Sequence, residues 1–267
     1  MKQYRVFGAT INGSVTGGKR VAVVDGADFT LAASSGAPLT AFITEYDAQS
    51  VTVRFFNKDG KEKPESDSGA LVVAHHMFGG DTRVVMPSGT LEVGFEHGVY
   101  WSAQGAHTRL LSPLPDEVWL EALNVADAQC DRSLGIHCAG SINKHNIVVP
   151  VWDDVLNRLK PNWERLETLL RESGVNGAIL AAFGANRAHV NFRFFAPHEG
   201  LREDNAGSYS LASLCGYLAA FASDGTYSLT AGQGYATGKP SSLRAQFSVR
   251  DHTVLEVSVG GTVEELR

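Results

Sequence analysis

Two segments of the chain place acidic, hydroxyl and glycine residues directly before an apolar stretch. Residues 65–70 read ESDSGA and precede LVVAHHMF, and residues 203–208 read EDNAGS and precede YSLASLCGYLAAF. Carboxylates can move protons as general acids or bases. Small residues before a helix leave backbone N–H groups accessible to an anion. The pattern predicts two helix starts that could bind a small carboxylate and act on it.

Both apolar stretches are apolar on nearly every side, so we expect two buried helices. The first N–H groups of each helix need partners, and the helix dipole makes that end favourable for negative charge. For either helix alone, the simpler interpretation is that Asp67, Ser68 and Ser208 are ordinary N-caps. The candidate catalytic residues are Asp204 and Asp67, and the candidate substrate-binding residues are Ser68, Gly69, Ala70, Gly207 and Ser208.

An internal repeat connects the two segments. VTVRFF at residues 51–56 returns as VNFRFF at residues 190–195, an offset of 139 residues, and each copy leads into one of the acidic loops. Gly69 and Gly207 mark what we interpret as equivalent helix starts. The repeat predicts an α+β protein of two pseudo-symmetric halves, residues 1–112 and 113–267. Each half is expected to be a mostly antiparallel sheet rolled around a central helix, with the helix starts facing each other across a cleft.

Other elements follow from local patterns. Alternating and β-branched runs fill the first 105 residues and predict strands, with hairpin turns at residues 79–81 and 86–89. Acidic residues after Pro115, followed by apolar residues at a spacing of three and four, predict a helix. The segment from Trp163 to Gly174 predicts an amphipathic helix that ends at its glycine.

Composition limits the range of functions. The chain has 267 residues and a formal net charge of −6, and its isoelectric point is about 5.8, which disfavours nucleic acid as a partner. No apolar run has the length of a signal-peptide core or a membrane span. Three cysteines are too few for a disulfide framework or a four-cysteine zinc site. We therefore expect a cytoplasmic protein with no membrane partner.

Several alternative chemistries are disfavoured. Cys215 lies seven residues beyond Ser208, inside the apolar run, so a racemase that uses two facing thiols is not indicated. His75 and His76 are adjacent, which is the wrong spacing for a pair of metal ligands on one helix face. Residues 234–238 enclose three residues between glycines where a phosphate-binding loop needs four. We expect no metal site and no nucleotide or other organic cofactor.

At these motifs the chain resembles a known family. RFFAPHEGLREDNAGS at residues 193–208, QGYATGKPS at 233–241 and TGGKRVAVV at 16–24 are similar to motifs of the PhzF-like phenazine-biosynthesis isomerases. The resemblance implies the diaminopimelate-epimerase-like fold, with an active site between two halves. It also implies an isomerase that acts on a small carboxylate-bearing metabolite without a cofactor, and a homodimer.

The site residues match the family only in part. Asp204 and Ser208 stand where the family has its site Asp and Ser. However, Leu39 occupies the position of the catalytic Glu, and Ser68 occupies that of the site His. Replacement bases could be Asp67, Asp204 or the two glutamates that open the acidic segments, Glu65 and Glu203. The sequence leaves three hypotheses open: an active isomerase, an inactive member that binds or senses a small molecule, and a scaffold with a closed cleft.

Overall fold

The strands and helices of this protein follow an order that is repeated once along the chain. The structure is a computed structural model that describes residues 1–184 and 189–266. Contacts divide the chain into two units, residues 1–103 with 260–267 and residues 104–259. The expected division at residues 112 and 113 treats each half as contiguous, whereas the last residues of the chain pack with the first unit.

The first unit contains β1 Lys2–Val6, β2 Ala9–Ile11, β3 Ser14–Thr16, β4 Lys19–Asp25, β5 Leu39–Tyr46, β6 Ser50–Asn57, β7 Glu62–Lys63, α1 Asp67–Met77, β8 Thr82–Met86 and β9 Gly89–Glu96. Strand β10, Val99–Leu110, continues into the second unit. The second unit then contains α2 Asp116–Leu123, β11 His137–Ser141, β12 Lys144–Pro150, α3 Asp153–Leu156, α4 Trp163–Ser173, β13 Gly177–Phe183, β14 His189–Ala196, β15 Leu201–Asp204, α5 Ser208–Ala219, β16 Gly225–Gln233 and β17 Ser241–Arg250. Strand β18, Thr253–Gly261, leads back to β19, Val263–Leu266, in the first unit. Within residues 1–184 and 189–266, none of the helices combines the length and apolarity needed to cross a membrane.

The two units have the same strand topology. In the first unit, β1 and β4 are antiparallel, β4 and β5 parallel, β5 and β6 antiparallel, and β6 and β8 parallel. In the second unit, β11 and β12 are antiparallel, β12 and β13 parallel, β13 and β14 antiparallel, and β14 and β16 parallel. A short hairpin strand, β7 or β15, precedes the central helix in each unit. The predicted α+β class and the internal repeat are confirmed.

Each central helix is buried against the sheet of its own unit. α1 contacts β1, β4, β5, β8, β9 and β19, while α5 contacts β11, β12 and β17. In α1 the residues from Ser68 to Ala74 are buried, and in α5 all residues except Tyr209 are buried. Gly69 is required at its position because a Cβ there would lie 2.9 Å from ring atoms of Phe55. The apolar sequences thus form the buried helices that their composition predicts.

The remaining helices of the second unit add a core on one side of its sheet. α2 follows Pro115, and α4 runs to Gly174, whose φ of 68° gives the left-handed helix end that glycine favours. Leu166, Leu169 and Leu170 are buried, as the amphipathic pattern predicts. One local prediction is wrong: residues 79–81 connect α1 to β8 and do not form a hairpin turn, because the apolar helix continues up to them.

An arginine–glutamate pair holds the strand before each central helix. The Nε and Nη2 atoms of Arg54 donate to the carboxylate of Glu62, both at 2.7 Å. In the second unit, the same atoms of Arg193 donate to Glu203 at 2.9 and 2.8 Å. The arginines are 139 residues apart and the glutamates 141 apart. The two additional residues of the second unit therefore lie between the arginine and the glutamate, and the N-cap residues Ser66 and Gly207 are equivalent, each four residues after its glutamate.

The two pairs differ in burial, so we predict different losses of stability when each glutamate is replaced by glutamine. The side chains of Arg193 and Glu203 are 6% and 12% exposed, whereas those of Arg54 and Glu62 are 39% and 35% exposed. Removing one charge of a buried pair costs about 3 to 5 kcal/mol, and an exposed pair contributes less than about 1 kcal/mol. Urea unfolding should show the larger cost for Glu203→Gln. Equal costs for Glu203→Gln and Glu62→Gln would contradict this reading of the fold.

Candidate active site

The start of α5 is a buried helix terminus without a side-chain cap. Its N-cap residue is Gly207, which has no side chain to offer as a cap. Ala206, Ser208 and Ser210 are all less than 10% exposed. A buried helix start leaves its first N–H groups without intrahelical partners, and the positive end of the dipole lies there. This arrangement can bind an anion.

The carboxylate of Asp204 lies beside this helix start. Its Oδ1 accepts a hydrogen bond from the N–H of Ala206 at 3.4 Å. Its Oδ2 is so close to the backbone of Gly207 that a Cβ there would lie only 3.1 Å from it. Asp204 is half-buried at the end of β15, where it pairs with Phe194. The structure therefore places Asp204 against Gly207, and Ser208 follows as the first residue of α5.

Two buried side chains hold the connection that carries Asp204. Glu203, directly before it, is bound by Arg193, whose Nη1 also donates to the carbonyls of Leu156 and Leu159 at 3.1 and 2.6 Å. From β16, the side chain of Gln233 donates to the carbonyl of Asp204 at 2.7 Å and accepts from the N–H of Gly207 at 2.8 Å. The site is thus anchored by side chains that reach it from the strands of the second unit.

The start of α1 differs because its own side chains close it. Ser66 is the N-cap, and its hydroxyl oxygen accepts the N–H of Gly69 at 3.1 Å. The N–H of Ala70 donates to the carbonyl of Ser66, and the hydroxyl of Ser68 lies 3.2 Å from that of Ser66. Asp67 occupies the first turn and is half-buried.

These contacts change the role of several predicted binding residues. The N–H groups of Gly69, Ala70 and Gly207 already donate within the protein, so they are not the open donors that the sequence suggested. Neither helix has the simple cap that we considered, because the N-caps are Ser66 and Gly207 and not Asp67, Ser68 or Ser208. Of these two helix starts, that of α5 has an N-cap residue without a side-chain cap.

Of the alternative bases, Glu203 is already bound by Arg193, and Glu65 is exposed before the N-cap of α1. Leu39 begins β5 and has no ionisable group. The acids that remain near a helix start are Asp204 and Asp67.

The two histidines of α1 serve as partners of tyrosines. Nδ1 of His75 lies 3.1 Å from the hydroxyl of Tyr100, and Nδ1 of His76 lies 2.7 Å from that of Tyr4. Burial raises the pKa of Tyr4 to about 12, so its hydroxyl stays protonated at neutral pH. Burial also lowers the pKa of His75, which favours a neutral ring. Both histidines thus have a structural role, and the described part of the chain contains no cluster of three or more metal-ligating side chains.

The segment after Gln233 folds onto itself. The N–H of Lys239 and the hydroxyl of Thr237 both donate to the carbonyl of Gly234, at 2.9 Å each. The N–H of Gly238 donates to the carbonyl of Tyr235 at 3.1 Å. Because these donors close a turn, the segment does not form a cradle for phosphate.

Sequence reasoning missed Ser66, Arg193 and Gln233 as residues that build the site. The repeat does contain a signal for the arginine, since Arg54 and Arg193 occupy the same place in both copies. Ser66 lies one residue before the predicted helix start. Gln233 could not be assigned from spacing, because it reaches the loop from a strand 29 residues away.

Comparison with known proteins gives a consistent assignment. The family model described as phenazine biosynthesis-like protein (PhzC–PhzF) matches residues 103–264. No curated protein matches the sequence significantly. A PhzF-family phenazine biosynthesis protein from Bacillus anthracis superposes with a TM-score of 0.79 and 19% identity, covering all of this chain and 97% of the other.

Two further solved structures have related folds. A predicted epimerase from Pseudomonas aeruginosa is 20% identical, with a TM-score of 0.71, covering all of this chain and 98% of that one. A hydroxyproline epimerase from Agrobacterium vitis, with bound trans-4-hydroxy-L-proline, is 12% identical, with a TM-score of 0.54 and coverage of 100% and 90%. At these identities the similarity shows the fold.

The cysteines lie away from both helix starts and are buried and free. Burial raises the pKa of Cys130 to about 11 and that of Cys138 to about 12, and burial also raises the pKa of Cys215. Only a thiolate is a good nucleophile, so these thiols are unreactive at neutral pH.

We therefore predict that iodoacetamide leaves all three cysteines of the native protein unmodified at neutral pH and modifies all three in denaturant. Mass spectrometry of tryptic peptides measures both states. Rapid modification of any cysteine in the native protein would show that its thiol is exposed and ionised, and would reopen thiol chemistry as a mechanism.

Proposed function

This chain belongs to the phenazine biosynthesis-like family, and from that premise we propose that it is an isomerase that moves a proton on a small carboxylate-bearing metabolite without a metal or organic cofactor. Family membership and the epimerases among the structural neighbours support an isomerase or epimerase role. The observation that carries the proposal is the buried, uncapped start of α5 with the carboxylate of Asp204 beside it.

The residues of α5 would bind the negative charge of the substrate. The N–H groups of Ser208, Tyr209 and Ser210 belong to the first turn of α5, whose N-cap residue Gly207 offers no side-chain cap, and Ser208 is buried there. Donors that are already in place stabilise the charge that develops when a carbon next to a carboxylate loses its proton. This gain is largest where water is excluded.

Asp204 would act as the acid–base group. In the forward step its carboxylate takes a proton from the carbon, and the electron pair of the broken C–H bond spreads into the adjacent carboxylate as an enolate-like charge. When the substrate carries a C=C bond next to this carbon, the charge spreads over the three-carbon unit, the proton is returned to its far carbon and the double bond shifts, so Asp204 ends as a carboxylate again. Asp67 is the second acid of the proposal, and Ser68 lies with it at the start of α1. The proposal also includes the homodimer and the cytoplasmic location expected from the sequence.

A second function is favoured by a specific observation. Leu39 and Ser68 replace two family site residues, and α1 is closed by Ser66. An inactive member that keeps the anion site of α5 would bind a small carboxylate as a sensor or carrier. Thermal stabilisation by a ligand that undergoes no proton exchange would support this function over catalysis.

We predict that the wild-type protein incorporates deuterium from heavy water into at least one member of a pool of amino and hydroxy acids. Asp204→Asn should reduce that rate by roughly 100-fold or more, because an amide cannot accept the proton but can still accept the N–H of Ala206. Mass spectrometry of the pool measures the incorporation.

Asp224→Asn is the matched control, since it makes the same change at an exposed turn residue of the same unit. It should leave the rate unchanged. Asp67→Asn is measured in parallel. Asp67 takes part in the mechanism only if this variant loses nearly as much of the incorporation rate as Asp204→Asn does. No incorporation into any compound at high wild-type concentration would refute the catalytic proposal.

A further inference from the structure

One side chain from a distant strand spans the connection between Asp204 and α5. Gln233 ends β16 and is fully buried. Its Nε2 donates to the carbonyl of Asp204, and its Oε1 accepts from the N–H of Gly207. We propose that Gln233 is a positioning residue whose amide fixes the carboxylate of Asp204 relative to the open N–H groups of α5. The inference rests on the proposed function. It identifies the side chain that holds the carboxylate of Asp204 in place beside the N–H groups of α5.

The two contacts require an amide. Its planar end carries a donor and an acceptor, which an ionised carboxylate or a lysine does not. The carbonyl of Asp204 and the N–H of Gly207 stand at opposite ends of the loop, so one amide fixes both ends together. Because the site is buried, water does not readily replace a lost contact.

The turn after Gln233 is fitted to the same loop. Gly234 has a φ of 79°, and a Cβ on it would lie 2.9 Å from both the Cβ and the carbonyl oxygen of Asn205. The backbone at residue 234 thus packs directly on the middle of the Asp204-to-Gly207 connection. Gln233 is held in place by its strand on one side and by this contact on the other.

The bridge fixes the helix start without closing it. In α1, the hydroxyl of Ser66 takes the N–H of Gly69, which is a donor inside the helix. Oε1 of Gln233 instead accepts a hydrogen bond from the N–H of Gly207. Gly207 is the N-cap residue and lies before the first turn. Gln233 therefore holds the N-cap residue without using a first-turn N–H group, as an anion site at this helix start requires.

The packing at Gly207 makes this position sensitive to small shifts. A Cβ at residue 207 would lie 2.9 Å from the hydroxyl of Ser210 and 3.1 Å from Oδ2 of Asp204, so little space separates the carboxylate from the helix. A displacement of about 1 Å between reacting groups can cost roughly 100-fold in rate. Loss of the bridge should therefore affect catalysis more than it affects folding.

The test uses three variants of the full chain. Gln233→Glu keeps the shape of the side chain. When ionised, the new carboxyl group can accept from Gly207 but places a negative oxygen against the carbonyl of Asp204; when protonated, it can donate there and restore the bridge. Gln233→Met removes both contacts at every pH. Gln246→Glu makes the same charge change on an exposed residue of β17 and serves as the control.

Two measurements are made from mildly alkaline to mildly acidic pH, each relative to the wild type at the same pH. The first is hydrogen–deuterium exchange of the peptide that covers residues 204–212, followed by mass spectrometry. The second is deuterium incorporation into the substrate found in the pool described above. Burial raises the pKa of a carboxyl group, so the carboxyl group that Gln233→Glu introduces should gain its proton within this range.

The expected result is a pH-dependent recovery in one variant only. At alkaline pH, the peptide of residues 204–212 should exchange its amide hydrogens faster in Gln233→Glu, and this variant should incorporate deuterium into the substrate roughly 100-fold more slowly. Both rates should return toward those of the wild type as the pH falls. Gln233→Met should remain impaired throughout, and Gln246→Glu should match the wild type throughout. If Gln233→Glu is unfolded at alkaline pH, the rate of deuterium incorporation is compared between the wild type and the neutral Gln233→Met variant instead.

The outcomes separate this inference from the proposed function. If peptide exchange in both Gln233 variants equals that of the wild type, Gln233 does not hold the loop and the inference is wrong. The inference is also wrong if exchange increases but the rate does not fall, or if the rate ratio of Gln233→Glu is independent of pH. If the wild type acts on no compound, the proposed function fails, and the peptide data alone decide whether Gln233 fixes the loop.

Discussion

The site depends on one constraint: a buried helix must find partners for the N–H groups of its first turn. Each unit places an apolar helix against its own sheet, so most residues of each first turn are buried and protein groups or a ligand must help to meet that need. In α1 the hydroxyl oxygen of Ser66 accepts one of these N–H groups, that of Gly69. In α5 the N-cap is a glycine, and a glutamine from another strand holds the residue before the first turn. The remaining donors of α5 are available to a ligand, and the presence of an acid beside them turns a structural requirement into a candidate active site.

The internal duplication shows how one scaffold can carry two different helix starts. Strand order, strand direction and the arginine–glutamate pair are the same in both units, so the hairpin before each helix is built alike. The difference lies in the N-cap residue itself, because Ser66 and Gly207 each stand four residues after the paired glutamate, while the two additional residues of the second unit lie earlier, between Arg193 and Glu203. The second pair is also the more buried one, because Arg193 donates in addition to two backbone carbonyls. The more buried arginine–glutamate pair, Arg193 and Glu203, thus precedes α5, the helix whose N-cap residue has no side chain.

The fold was largely predictable from the sequence, whereas the hydrogen bonds that build the two helix starts were not. Apolar periodicity located α4 and both buried helices, and the repeated VTVRFF and VNFRFF motifs predicted matching units. Local patterns also pointed to Asp204 and Ser208. They failed for the hydrogen bonds, because whether the N–H of Gly69 is free depends on the rotamer of Ser66, and whether that of Gly207 is free depends on Gln233, a residue distant in sequence. Helix propensity says where a helix begins, but the identity of its cap is decided by tertiary packing.

This asymmetry bears on which reaction the chain can support. Inversion at a carbon requires one group to remove a proton from one face and a second group to supply a proton to the other. The chain has no thiol at either helix start, and neither Leu39 nor Ser68 offers a group that ionises near neutral pH. The open helix start is paired with one acid, Asp204. A single acid removes and returns a proton on the same face, so it suits the shift of a C=C bond, in which the proton moves between the two outer carbons of a three-carbon unit, better than inversion. The structure of α5 therefore favours an isomerase that relocates a proton over a racemase.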